Sequence, residues 1–188
     1  DEPVGNIAEA VVLWETKNDR NPIIVGDVIA SVSFDGNMVH FFLPEEPVSG
    51  NAVIAVKDAM GTILWSWHIW RTDQPEEHTY VNEQGNTYVM MDRALGSISA
   101  VEGDIGGALY YQWGRKDPFR LNDPLSLTDL SLHSGHPVVS MFSDLSRAVQ
   151  RPTTFATGQD WVMDINASLW SNNMKTIYDP CPAGWRVP

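Results

Sequence analysis

His133 and His136, in the run His133-Ser134-Gly135-His136, lie near Asp129 and Asp144 in sequence. Imidazoles and carboxylates clustered in this way are what a zinc-type site uses, but such sites add a cysteine or a second close pair of ligands. The segment has neither and reads as a polar loop. The chain contains no H-E-x-x-H, no G-x-S-x-G and no phosphate-binding glycine motif. Two carboxylates that attack a glycosidic bond meet only in the fold. With 24 Asp and Glu residues some pair can always be drawn, so the pattern carries no weight. His68 falls on a strand face opposite Trp65 and Trp67 and reads as a hydrogen-bonded structural histidine. Asn166-Ala167-Ser168 has the form of a glycosylation acceptor, a triplet that arises often by chance. The expectation is no catalytic residue, no metal ligand and no cofactor.

The aromatic residues are more informative. Tyr110, Tyr111 and Trp113, with Trp161, Trp170, Tyr178 and Trp185, exceed what a small core requires. An apolar ring with a polar edge serves burial and also contact with sugars or protein partners. Each residue taken alone reads as core, whereas the set reads as a core with one or two members left for recognition. Trp113, Trp161 and Trp170 are the ligand-binding candidates.

The elements that would position them begin with TILWSWHIWRTD, Thr62 to Asp73, which holds three of the eight tryptophans. Ile63, Trp65, Trp67 and Ile69 alternate with Leu64, Ser66, His68 and Trp70. That period of two predicts a strand buried on one side and partly covered on the other. Upstream, Glu9 to Thr16, Val25 to Phe34, Met38 to Leu43 and Ala52 to Asp58 predict four more strands. Asp35-Gly36-Asn37 and Ala59-Met60-Gly61 supply the hairpin turns. Together these predict a mainly antiparallel sheet of about five strands in residues 1–74.

After a polar connector that sets a boundary near Gln74, residues 75–188 read as a more irregular part. Thr87 to Asp92 predicts a strand after the Gln84-Gly85-Asn86 turn, and Ile105 to Gly114 predicts one short helix. There Leu109 and Trp113 fall at i and i+4, with Gly114 as C-cap and Arg115 and Lys116 at the negative end of the helix dipole. Residues 119–172 predict long irregular loops and short strands. Lys175 to Tyr178 and Gly184 to Val187 predict short strands around Asp179-Pro180-Cys181-Pro182.

Composition bounds the function. At 188 residues, 43% hydrophobic, the chain can bury a core without metal or disulfide help. A net charge of −12 argues against nucleic acid and anionic membranes as partners. No apolar run approaches the ~18 residues of a membrane span. The start DEPVGN has no signal-peptide character and predicts a mature form or a fragment. The lone Cys181 fits either redox compartment.

Four segments also carry a likeness. GNAVIAVKDAMGTILWSWHIWRTD (Gly50 to Asp73), YVMMDRALG (Tyr88 to Gly96), GALYYQWGRKDPF (Gly107 to Phe119) and TIYDPCPAGWRVP (Thr176 to Pro188) resemble, in order and spacing, surface proteins of gut Bacteroidales that carry the Fibrobacter succinogenes major paralogous domain. Such proteins are often lipoproteins or fimbrillin-like, pilus-associated subunits. Ala94 stands where that family more often has asparagine, and residues 120–172 diverge. The GWRVP ending is similar to a strand of C-type-lectin-like folds, in which a further Glu-Trp segment follows. The resemblance also implies an upstream cysteine that would pair with Cys181 in a longer parent chain.

The expectation that follows is a mainly β (α+β), β-sandwich-like chain of two parts, 1–74 and 75–188, the second lectin-like and incomplete at its end. By this likeness it would be a non-enzymatic cell-surface protein of a gut Bacteroidales bacterium, outer-membrane anchored in its precursor, acting in adhesion or as a pilus-associated subunit. Its partners would be other surface or pilus subunits. The alternative is a glycan-binding lectin-like module.

Overall fold

The computed structural model describes residues 5–17, 24–101, 107, 109–121, 135–164, 166, 168–171 and 173–187. In chain order the elements are β1 (Glu9–Thr16), β2 (Ser31–Asp35), β3 (Met38–Phe42), β4 (Gly50–Lys57), β5 (Ile63–Arg71), β6 (Glu77–Val81), β7 (Thr87–Met91), β8 (Val138–Val139), α1 (Leu145–Val149) and β9 (Phe155–Ala156). The protein is mainly β. Among the described residues no helix is long and apolar enough to cross a membrane.

All five strands expected before Asp73 form, but they divide. Strands β1, β4 and β5 make an antiparallel sheet in the order β1-β4-β5, while β2 and β3 stand apart as a hairpin. The division originates in residues 24–30, which do not extend as their alternation predicts. The Glu15 carboxylate accepts the backbone N–H groups of Gly26 (3.0 Å) and Ile29 (2.7 Å), and Gly26 takes a φ of 101°. The segment therefore turns and inserts Val28 and Ile29 beside Ala52 of β4, with Val12, Val32 and Ile69 around them. Contact with β3 begins where the Ala30 N–H donates to the Phe42 carbonyl (2.8 Å), and the paired strand runs from Ser31.

Strand β4 is buried along seven of its eight residues, because both of its faces are covered. One face meets the Val28–Ile29 turn. The other carries Val53 against Trp14 and Leu109, with Leu13 and Tyr111 packed alongside. Strand β5 is at the sheet edge, so its three indoles are only half-buried, and its most enclosed residue is Ser66. Packing in this strand is thus tightest on the polar face rather than at the tryptophans.

Beyond β5, Arg93 draws the chain back. Its guanidinium donates to Asp73 (2.7 Å) and Asp92 (2.9 Å), and the two carboxylates raise its pKa further. Between these residues β6 and β7 form a hairpin around Asn82, whose Oδ1 accepts the N–H groups of Gln84 and Asn86. Strand β6 begins inside the segment that reads as a polar connector. Nearly every residue of both strands is exposed.

The expected helix at Ile105 to Gly114 does not form over its described residues. Tyr110 and Phe119 instead exchange both backbone hydrogen bonds (3.0 and 2.8 Å), closing a loop that turns at Trp113-Gly114 with Gly114 at φ 83°. Two long-range demands override the i, i+4 pattern. Leu109 enters the Trp14 core, and the Arg115-Lys116-Asp117 triplet turns inward. Among the described residues the one short helix is α1, capped by Asp144, whose Oδ1 accepts the Arg147 N–H at 2.8 Å. Around it Phe142, Ala148, Ala156, Trp161, Val162 and Leu169 form a second core. The strands expected at Lys175 to Tyr178 and Gly184 to Val187 are instead turns and irregular chain. Asp179 gathers them by accepting the N–H groups of Cys181 (2.9 Å) and Val187 (3.1 Å) and the Lys175 ammonium (3.0 Å). Burial raises the pKa of Asp179, but those three donors outweigh it and the net shift is downward.

Candidate functional site

The loop from Tyr110 to Phe119 positions an indole at the surface. Gln112 is fastened to β9, its amide donating to the Ala156 carbonyl (2.9 Å) and accepting the Ala156 N–H (3.2 Å). The next residue, Trp113, is thereby turned outward and is 58% exposed. Its carbonyl accepts the Trp161 indole N–H at 2.5 Å, and Trp161 itself is buried. Trp170 packs edge-on against Trp113, with ring centroids 5.1 Å apart at 61°, and its own N–H donates to the Tyr178 carbonyl at 2.8 Å. Behind them Gly114 sits close to Leu169: a Cβ there would lie 3.3 Å from it, so the leucine would have to give by a few tenths of an ångström.

Beside Trp113 lies an open cleft of about 250 Å³, lined by Gln112, Trp113, Gln159, Asp160, Trp161 and Val162. The three tryptophans singled out from sequence come together here with different tasks. Trp113 faces solvent, Trp161 forms the floor and Trp170 supports the ring from the side. Sequence reasoning missed Gln159 and Asp160. They follow Gly158, whose N–H donates to the Ser140 carbonyl (2.7 Å), and no residue pattern announces that turn.

A second cluster has the residue types of a serine nucleophile beside a lysine base. Lys116 donates to the Ser66 hydroxyl, the Ser66 carbonyl (2.9 Å) and Asp117 Oδ1 (2.7 Å), while the Ser66 hydroxyl donates to Asp117 Oδ1 (2.6 Å). Burial lowers the Lys116 pKa and Asp117 opposes that shift. A base would need a lone pair aimed at the serine proton. Here all three ammonium hydrogens are spent and the serine proton is given to the aspartate. Ser66 is 1% exposed, and the adjoining cavity of about 10 Å³ admits at most one water. The trio is a buried strut between β5 and the 110–119 loop. Next to it the Arg115 guanidinium lies against the rings of Phe119, Phe142 and Trp161 at 4.8, 5.1 and 5.9 Å. Burial draws its pKa down to about 10, with Asp117 opposing.

His68 and His136 are structural. His68 Nε2 bonds Asn51 Oδ1 at 2.9 Å and Nδ1 bonds the Tyr111 hydroxyl at 3.1 Å, while Asn51 Nδ2 donates to the Gly96 carbonyl at 2.8 Å. Burial lowers the His68 pKa to about 3, so the ring is neutral, donating through Nε2 and accepting at Nδ1. Burial, then the nearby Cys181 and Asp117, raises the Tyr111 hydroxyl well above its usual range. His136 accepts the Arg120 N–H at Nε2 (3.0 Å) and bonds the Thr153 carbonyl through Nδ1 (3.0 Å). Both of its nitrogens are therefore engaged by backbone. Its sequence companions His133 and Asp129 lie outside the described residues, and Asp144 is the cap of α1. Among the described residues no three His, Cys, Asp or Glu side chains are grouped to hold a metal. Asn166 Oδ1 accepts the Ser168 N–H and hydroxyl, an exposed turn. Burial, then the Asp179 carboxylate, pushes the Cys181 thiol up to about 12.

No protein-family model matches the chain, no curated protein matches it, and no solved structure matches it.

Proposed function

We propose that this chain is a non-enzymatic cell-surface protein of a gut Bacteroidales bacterium, acting in adhesion and engaging its target at the Trp113 cleft. The likeness of its four segments to surface proteins of that group supports the location, including the outer-membrane anchor of a longer precursor. One observation carries the role: Trp113 is 58% exposed, yet it is braced by two other indoles. Full burial of a tryptophan is worth on the order of 4–6 kcal/mol by area, so leaving half the ring in water forgoes roughly 2–3 kcal/mol. A binding partner recovers that free energy. Beads coated with the intact protein should adhere to mucin or epithelial cells, and Trp113→Ala should abolish adhesion in a protein that still unfolds cooperatively in urea, its midpoint lowered by the lost packing on Trp170. Equal adhesion by both proteins would remove the cleft from the proposal.

A second reading, a pilus-associated subunit, draws on the β6–β7 hairpin. A two-stranded hairpin exposed on both faces is marginal in water on its own, and its Tyr80, Val81, Tyr88, Val89 and Met90 are all exposed. An added strand from a neighbouring subunit would cover them. Crosslinking through a cysteine introduced at Thr79 tests this: surface-assembled polymers should crosslink there, and recovery of monomer alone counts against it.

A further inference from the structure

The cleft has a chemistry that narrows its ligand. Among the described residues its lining includes no Lys, Arg or His, and one member, Asp160, carries a carboxylate. The Arg115 guanidinium touches the lining residues Gln112 and Trp161, but at 2% exposure it is withdrawn from the cleft. Its Nη atoms donate to Gln112 Oε1 (3.1 Å), the Thr154 carbonyl (2.7 Å) and the Arg151 carbonyl (2.7 Å). Gln112 in turn has both amide atoms committed to Ala156 and Arg115. Groups free to meet a ligand are therefore the face of Trp113 and the exposed side chains of Gln159 and Asp160.

An anionic ligand would meet a carboxylate on a chain of net charge −12 with no compensating cation. A cationic ligand is bound best by several ring faces converging on it. Here Trp170 meets Trp113 in a T-shaped pair at 61° and Trp161 is buried, so Trp113 is the exposed ring among the three. A single flat apolar platform with an amide and a carboxylate at its rim fits a ring whose two faces differ, one of C–H groups and an edge of hydroxyls. At about 250 Å³ the space is below the range of drug-sized pockets, and it suits one such ring rather than several.

We propose that the cleft binds a neutral pyranose: its C–H face stacks on Trp113, and its hydroxyls bond Asp160 and Gln159. Trp161 and Trp170 hold the platform in place. No metal takes part in the contact. This rests on the reading of the cleft as the adhesive surface and names its ligand class.

The test is titration of the intact protein with neutral hexoses, N-acetylhexosamines and their disaccharides, followed by tryptophan fluorescence and calorimetry. At least one neutral sugar should bind. Trp113→Ala should weaken that sugar at least tenfold and Trp113→Tyr less, each in a protein that still unfolds cooperatively in urea. Asp160→Asn should weaken it several-fold, EDTA should have no effect, and the matching uronic acid should bind at least tenfold more weakly. The proposal fails if no neutral sugar binds, if binding survives Trp113→Ala or is lost in EDTA, or if lysine- or arginine-containing peptides bind in place of sugars. Adhesion that depends on Trp113 but resists every neutral sugar would overturn the ligand class and keep the adhesive surface. Sugar binding that depends on Trp113 in a protein whose beads adhere nowhere would do the reverse.

Discussion

Acidification should destabilise this protein through His68 before its carboxylates contribute. The ring sits between Asn51 and Tyr111, and its pKa falls from 6.5 to about 3 through burial. The unfolded chain takes up a proton near pH 6.5 that the folded chain refuses until about pH 3. Stability attributable to this residue is therefore intact above pH 6.5 and declines as the pH drops through that window. Each tenfold change in protonation is worth about 1.4 kcal/mol. Between pH 6.5 and 4.5, above the range where most carboxylates titrate, the loss comes to about 2–3 kcal/mol. His68 keeps part of its surface in solvent, so the lower end of that range is the better expectation. Urea unfolding followed by tryptophan fluorescence at half-unit pH steps measures it. His68→Gln can keep a donor toward Asn51 and an acceptor toward Tyr111 while removing the titration, so its loss of stability across the same window should be smaller by about that amount. A histidine signal that NMR assigns to position 68 and that titrates near pH 6.5, or equal pH slopes in both proteins, would refute the reasoning.

Three further outcomes follow from buried groups and one tight turn. Lys116→Met leaves Asp117 enclosed without its ammonium and should cost about 3–5 kcal/mol, with Lys116→Met/Asp117→Leu recovering most of that; a single-variant loss below about 1 kcal/mol would show the strut to be idle. With its pKa pushed up to about 12, Cys181 should react with iodoacetamide at pH 8 roughly a thousandfold more slowly than an ordinary thiol, and regain normal reactivity in urea. Gly114→Ala forces a side chain into φ 83° and against Leu169 and should cost more than Gly184→Ala, which has φ 87° but open space around it. The second should cost about 1–2 kcal/mol and the first about 1 kcal/mol beyond it, both read from urea midpoints.

The strands before Asp73 were legible because their alternation and turn residues agree. Asp35-Gly36-Asn37 and Ala59-Met60-Gly61 both turn the chain where residue chemistry predicts. What alternation could not convey was that Glu15 would reach eleven and fourteen residues along to bend the Val25–Ile29 run. Strand β6 was hidden because Glu77 and His78 are ordinary connector residues, and only pairing with Met91 and Met90 makes them a strand. The helix error has a similar source. Leu109 and Trp113 have helical spacing, but one belongs inside and the other outside. A charged triplet such as Arg115-Lys116-Asp117 gives no local sign that carbonyls and a serine fifty residues away will receive it. At the cleft the indoles could be named from their type, whereas the assignment of platform, floor and support depended on contacts between distant segments.

The strut from Lys116 to Ser66 joins positions fifty apart, the Asn51 amide meets the Gly96 carbonyl forty-five residues on, and the Trp161 indole finds Trp113 across forty-eight. Each closure loses chain entropy before its contact forms. Topologies dominated by such distant pairings complete in milliseconds to seconds rather than microseconds. During that interval the aromatic run from Trp65 to Trp70 is uncovered and able to associate with other chains. Refolding yield should therefore fall steeply with protein concentration, and a chaperone that shields apolar segments should restore it.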